Sequence, residues 1–91
     1  MNFEWDPAKA RTNRRKHRVT FEEAATVYGD VLALTYPDPD HSFSEQRFIT
    51  VGMSSAKRVL IVAHTERGES IRIISARNAA QHEREHYEEN H

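Results

Sequence analysis

Residues 71–87 read IRIISARNAAQHEREHY, and the way this stretch divides decides the fold. Its first part, Ile71 to Ala76, is β-branched and fits a strand. Its second part, from Asn78 to about Glu89, is charged and rich in helix-forming residues. The strand brings Arg72 and Arg77, a residue type that suits a phosphate backbone, whereas His82-Glu83-Arg84-Glu85-His86 matches the H-E-x-x-H pattern of zinc hydrolases. Two chemistries therefore compete within one segment.

Upstream of Ile71, Glu66-Arg67-Gly68-Glu69 has the length and the glycine of a hairpin loop, so a strand from Arg58 to Thr65 should return antiparallel as Ile71 to Ala76. Before it, Val31 to Tyr36 and Gln46 to Val51 read as strands. Between them Pro37-Asp38-Pro39-Asp40 forms a loop, because proline withholds the backbone donor that pairing needs. At the start, Phe3-Glu4-Trp5 alternates as a short edge strand, and Asp6-Pro7 supplies an N-cap followed by proline at the first helical position. The helix predicted from Pro7 to His17 has only Ala8 and Ala10 as apolar residues, so it lacks a wide buried stripe and reads as a solvated or ligand-facing element. Thr20 and Glu23 are spaced as a capping box for the next helix, which carries Phe21, Ala24, Ala25 and Tyr28 on one face and ends at Gly29. The order β-α-α-β-β-β-β-α, with strands and helices in separate runs, predicts an α+β fold: a small, mainly antiparallel sheet with helices packed on one face.

Ninety-one residues are too few to divide a core, so one domain spanning 1–91 is expected. There is no cysteine for a disulfide or a thiolate metal site. No run approaches the ~20 apolar residues of a membrane span. Met1 to Pro7 carries Glu4 and Asp6 instead of a basic leader, so a cytoplasmic, unexported protein is expected. The net charge of −1 argues against indiscriminate nucleic-acid binding, but the charges are sorted. Lys9, Arg11, Arg14, Arg15, Lys16 and Arg18 form a run without an acid, while Glu83 to Glu89 holds four acids against Arg84. RNA and an acidic partner segment would both suit the basic run.

Zinc hydrolysis needs a third protein ligand besides His82 and His86, leaving one position open for water. Hydrolases with this motif draw that ligand from downstream, where only Tyr87 to His91 remain. A solvated helical face is the simpler reading, and no metal site is expected.

The other constellation lies on the strands. Period-two alternation puts Glu45, Arg47, Ile49 and Val51 on one face, and Leu60, Val62, His64 and Glu66 on one face of the next strand. On the last strand Arg72, Ile74 and Ala76 share a face, and Arg77 falls on the opposite parity where the strand gives way, which leaves open whether both arginines reach one site. Metal-free RNA cleavage needs a base for the 2′-hydroxyl, an acid for the leaving 5′-oxygen and cations for the phosphate. His41, Glu45 and His64 suit proton transfer; Arg47, Arg72 and Arg77 suit the phosphate, since a guanidinium bonds two of its oxygens at once. A surface salt bridge explains a Glu-x-Arg pair equally well, and a half-buried sheet position explains His64.

Phe3-Glu4-Trp5-Asp6-Pro7, then Lys9, Asn13, Lys16-His17, Phe21-Glu22-Glu23-Ala24, Asp40-His41-Ser42, Glu45-x-Arg47, Gly52 and Arg72-Ile73-Ile74-Ser75-Ala76-Arg77, with Glu83-Arg84 and Tyr87, resemble the BrnT family of bacterial toxins over almost the whole chain. That family is similar in fold to RelE-type ribonucleases. The resemblance implies an endoribonuclease toxin of a type II toxin–antitoxin system that cleaves RNA without metal or cofactor and inhibits translation and growth. The expected catalytic set is Glu45, Arg47, His64, Arg72 and Arg77, with RNA contacts from Lys9, Arg14, Lys16, His17 and His41. The implied partner is a BrnA-type antitoxin whose ribbon-helix-helix domain carries the complex to DNA, with the toxin dimeric inside a heterotetramer and no membrane involved. The alternatives are a non-catalytic module that binds antitoxin or nucleic acid, or a zinc-dependent hydrolase using His82-Glu83-x-x-His86. One departure stands out: comparable members usually have glycine after Lys-His, where this chain has Arg18. A non-glycine residue in a left-handed helix cap costs about 1 kcal/mol, which leaves the aim of Lys16 and His17 open.

Overall fold

A computed structural model describes residues 1–41 and 45–90 and follows the predicted order. The elements are β1 (Asn2–Glu4), α1 (Pro7–His17), α2 (Phe21–Thr26), β2 (Leu34–Pro37), β3 (Arg47–Met53), β4 (Val59–Arg67), β5 (Ser70–Asn78) and α3 (Gln81–Glu89). One sheet runs β1-β5-β4-β3-β2; β1 joins β5 in parallel and all other neighbours are antiparallel. Gly68, at φ +60°, closes the β4–β5 hairpin in a two-residue turn with Glu69.

Several boundaries differ by a few residues from expectation, and two of the shifts have clear local causes. Asp30 folds the chain before it can extend: its Oδ1 accepts from the Leu32 amide at 3.0 Å and its carbonyl from the Ala33 amide at 3.0 Å. The strand therefore starts at Leu34, not Val31. At the other end β5 runs on to Asn78, so α3 begins at Gln81, where Glu83 Oε1 accepts from the Ala80 amide at 2.8 Å.

The helices cover both sheet faces, not one. Val59, Leu60, Ile61 and Val62 are buried at consecutive positions, so both faces of β4 need cover. Leu60 and Val62 join Ile73, Ala76 and the α2-side residues Val19, Phe21, Ala24 and Val27 in one core. Val59 and Ile61 join Ala79 and Tyr87 in a second core beneath α3, with Ile49 and Val51 against it. Gly52 lies where a Cβ would come within 2.8 Å of Val27 Cγ1 and 2.9 Å of Ala33 Cβ, so only glycine lets this part of β3 approach the 3-10 turn at Val27–Gly29.

The nearly apolar-free α1 is held by a buried polar clamp. Asn13 Nδ2 donates to the carbonyls of Val19 (3.0 Å) and Ala76 (2.8 Å), and its Oδ1 accepts from the Ala76 amide (3.0 Å). It thus supplies the edge of β5 with the donor and acceptor that a neighbouring strand would offer. The α1 helix ends with Arg18 in the left-handed conformation, φ 58° and ψ 33°, its amide donating to the Arg14 carbonyl. Arginine accepts the cap that glycine usually fills.

Candidate functional site

The register of β5 decides which side chains share a surface. Ala63 pairs with Ser75 but His64 pairs with Ile73, so Ile74 is an extra residue in a β-bulge. The bulge resets the alternation. Arg72, opposite Thr65, and Arg77, opposite Ile61, both stand on the α3 side of the sheet, while Ala76 moves to the other face opposite Val62. This corrects the expectation that Ala76 shares a face with Arg72 and Arg77 does not. Arg47 is also opposite Thr65, from β3, so Arg47 and Arg72 flank Thr65 on neighbouring strands. Thr65 and Ile61 are four residues apart on β4, which separates the Arg72 and Arg77 rows by about 13 Å.

Carboxylates accompany these cations. Arg72 Nη1 donates to Glu4 Oε2 at 3.0 Å across the β1–β5 pairing. Both terminal nitrogens of Arg77 donate to Glu83 at 2.8 Å, which holds the Glu83 carboxyl down at about 2 and raises the Arg77 guanidinium. Glu45 lies 3.7 Å from Arg67, a cation of the same face that sequence reading passed over. The partly exposed, singly bonded pairs of Arg72 with Glu4 and Arg67 with Glu45 contribute about 0–1 kcal/mol each, so these cations change partner at small cost, whereas the bidentate Arg77–Glu83 pair is the firmer one. His41 hydrogen-bonds Asp38 through Nδ1 at 3.0 Å, and the Asp38 amide donates to the Arg47 carbonyl at 2.8 Å, which anchors this loop beside Arg47. Ser42, part of the quoted resemblance, lies outside the described residues.

His64 is on the other face and is not brought to the arginines. It is 3% exposed, stacks on Phe48 at 5.3 Å, and its Nδ1 is 2.6 Å from the Tyr28 hydroxyl. Burial pushes the imidazole below its ordinary value and the Tyr28 phenol above its own, so the pair is neutral at neutral pH. His64 is thus a buried, neutral ring with one nitrogen bonded, and the sheet separates it from the arginine row.

The basic run is also divided. Lys9, Lys16 and His17 line a groove of about 310 Å³ between α1 and the Ile74-Ser75 segment of β5. Arg14 belongs to the other flank, with Arg11, Arg15 and Arg18. On α3, Tyr87 is core, its hydroxyl donating to Asp30 Oδ2 at 2.5 Å; burial first and that carboxylate second push the phenol up to about 12. His82 and His86 border a groove of about 400 Å³ over Ile49, Val51 and Ile61. Glu83, the residue the zinc reading needs as a base, is committed to Arg77 and the Ala80 amide. Among the described residues no three histidine or carboxylate side chains gather into a metal-holding cluster.

Residues 5–83 match the family model described as ribonuclease toxin, BrnT, of type II toxin–antitoxin systems. The chain belongs to the BrnT family. The BrnT fold is borne out by a solved relative: the 1.1 Å crystal structure of the Brucella abortus ribonuclease toxin, BrnT, is 25% identical and superposes with a TM-score of 0.70 over 89% of this chain and 99% of that one. No curated protein matches the sequence. The grouping of Arg77 with Arg72 left no periodic signal in the sequence, because the bulge at Ile74 breaks the alternation from which faces are read. Glu4 and Arg47 join this BrnT face only through the pairing of β1 and β3 with their neighbours, whereas Arg67 was legible from the alternation of β4.

Proposed function

We propose that this BrnT-family chain cleaves RNA without a metal at the α3-side face of its sheet, and that this activity arrests translation and growth. The observation that carries the reading is the bulge at Ile74, by which Arg47, Arg72 and Arg77 share one face in a member of a ribonuclease family.

Arg47 and Arg72, on either side of the low-profile Thr65, clasp the non-bridging oxygens of the scissile phosphate, Glu4 giving way on Arg72. The 2′-hydroxyl attacks phosphorus, one group takes its proton, a second delivers a proton to the departing 5′-oxygen, and the products are a 2′,3′-cyclic phosphate and a 5′-hydroxyl. Glu45 and His41, at the Arg47 end of the face, are the proton-transfer pair. The arginines stabilise the charge that builds on the phosphoryl oxygens. Arg77 holds a neighbouring phosphate in exchange for Glu83. His64 keeps β3 and β4 in register from behind, and Lys9, Arg14, Lys16 and His17 attract the strand from α1.

In the cell the reading places the toxin in the cytoplasm with a BrnA-type antitoxin. An acidic antitoxin segment satisfies the same arginines that RNA would, and a ribbon-helix-helix domain carries the heterotetramer, with two toxin copies, to DNA. The test is cleavage of RNA by purified protein in excess EDTA, with Arg72→Ala as the comparison. Cleavage that resists EDTA and disappears in a folded Arg72→Ala protein is the expected result. Full activity of that variant would remove the assigned site, and activity lost to EDTA would return the question to His82 and His86.

A further inference from the structure

We propose that the groove between α1 and β5 is a subsite for one unpaired nucleotide of single-stranded RNA, next to the phosphate held by the arginine face. The proposal rests on the ribonuclease reading of that face and names what lies beside it.

The groove is built by two features that the phosphate site does not use. The α1 helix presents Lys9, Thr12, Asn13 and Lys16 along one side, positions i, i+3, i+4 and i+7 that share a helical face. The opposite wall is the bulge residue Ile74 together with Ser75. Asn13 keeps this helix against the strand by spending both ends of its amide on backbone groups of Val19 and Ala76, so it closes the bottom of the groove without offering a free polar atom. Ser75 is exposed, pairs with Ala63, and lies between Arg72 and Arg77 along β5. The groove therefore meets the edge of β5 between the Arg72 and Arg77 rows.

Size and lining select the occupant. A volume of about 310 Å³ lies at the small end of ligand-sized clefts. It admits one nucleotide turned out of a strand and not a stacked base pair. Ala8 and Ile74 offer an apolar surface to a base, with the Thr12 and Ser75 hydroxyls and the His17 ring at its edge. Lys9 and Lys16 stand two helical turns apart, about 10 Å, and supply flexible point charges for the phosphates that enter and leave. Unpaired RNA is read in this way, by bases splayed into a cleft while the backbone is held by cations. On the opposite flank Arg11, Arg14, Arg15 and Arg18 crowd around Thr20, and a smaller cleft of about 190 Å³ brings Arg11 and Arg14 to Ala10 and Phe21, with Glu22 beside them as an acid that repels a phosphate.

The test compares two double variants that remove the same charge from one helix. Binding is measured by fluorescence anisotropy with a 2′-O-methyl single-stranded oligonucleotide, which has no free 2′-hydroxyl to attack. Lys9→Ala/Lys16→Ala is expected to weaken binding about tenfold and to lower the slope of log K against log salt by about 1.4. Arg11→Ala/Arg15→Ala should weaken it by under about threefold, through long-range charge alone. A duplex of the same sequence should be insensitive to which pair is removed. Equal losses from both variants on the single strand would mean that the helix acts only as a diffuse positive surface, and would overturn the subsite. Because this probe reports binding without cleavage, failure of the groove leaves the Arg72→Ala cleavage result untouched, and the reverse also holds.

Discussion

The two faces of one sheet treat polar side chains in opposite ways. On the α1–α2 side, Asn13 bonds backbone groups of Val19 and Ala76 and His64 bonds Tyr28, while the charged pair there, Glu23 with Arg58, is tied further to Ser54 and the Arg18 carbonyl, so the polar groups are fixed. On the α3 side, Arg67, Arg72 and Arg77 stand against Glu45, Glu4 and Glu83 at a partly exposed surface. A buried polar group without its partner costs about 1–3 kcal/mol, so the first face allows no exchange of partners. An exposed ion pair is nearly free to break, so the second can trade a carboxylate for a phosphate. Structure is concentrated on one side, and exchangeable charge on the other.

Removing a cation from the open face should give the largest effect with the least damage to the fold. Arg47→Ala is expected to lower the rate of RNA cleavage by about 10²–10³-fold, as loss of one group stabilising transition-state charge does, while the melting temperature stays close to that of the parent. A large drop in melting temperature would mean that Arg47 belongs to the structural half of the comparison. Asn13→Ala should do the reverse. It strands backbone groups of Ala76 and Val19 and should destabilise the protein by about 2–3 kcal/mol in urea titrations. A loss under about 0.5 kcal/mol would show that α1 is held by something other than the amide clamp.

Acid should reach the buried face through His64. Its folded-state value is depressed by burial. As pH falls through about 6.5, the unfolded chain takes up a proton that the folded chain refuses. The unfolded state then binds more protons, and stability falls with pH from there until the folded-state value is reached. His64→Gln should flatten that slope between pH 7 and 5 in denaturation series, and an unchanged slope would place the sensitivity elsewhere. The smallest effect is expected from Glu83→Gln, which loosens the clasp on Arg77 at a surface position. Stability should change by no more than about 1 kcal/mol, and affinity for single-stranded RNA should rise, because Arg77 no longer has a charged competitor. Weaker RNA binding would assign the Arg77–Glu83 pair to support of α3.

Much of this arrangement was legible in the residues. Asp6-Pro7, the Thr20 N-cap and Gly68 are local devices whose chemistry acts within a few positions, and each marks an end or a turn where expected. Glu23 does not complete the capping box: its carboxylate bonds Ser54 and Arg58, partners that only the tertiary fold brings near. The run Val59 to Val62 already carried the signature of a strand buried on both sides, although the expectation of helices on one face overlooked it. The cationic character of α1 was equally visible, but not its division into a groove side with Lys9 and Lys16 and an outer side with Arg14.

What the sequence by itself determined is the element order, the α+β class and the stock of arginines, histidines and carboxylates, because capping, alternation and charge are local properties of the chain. Only the tertiary structure decided which of those residues meet. One unpaired residue, Ile74, resets the alternation of β5 and turns Arg77 onto the face of Arg72, and the pairing of Thr65 with both Arg47 and Arg72 assembles the cation row. His64 was sent to the opposite face by the same register. A bulge is settled by the fit between neighbouring strands and the core beneath them, so no period counted along a single strand contains it.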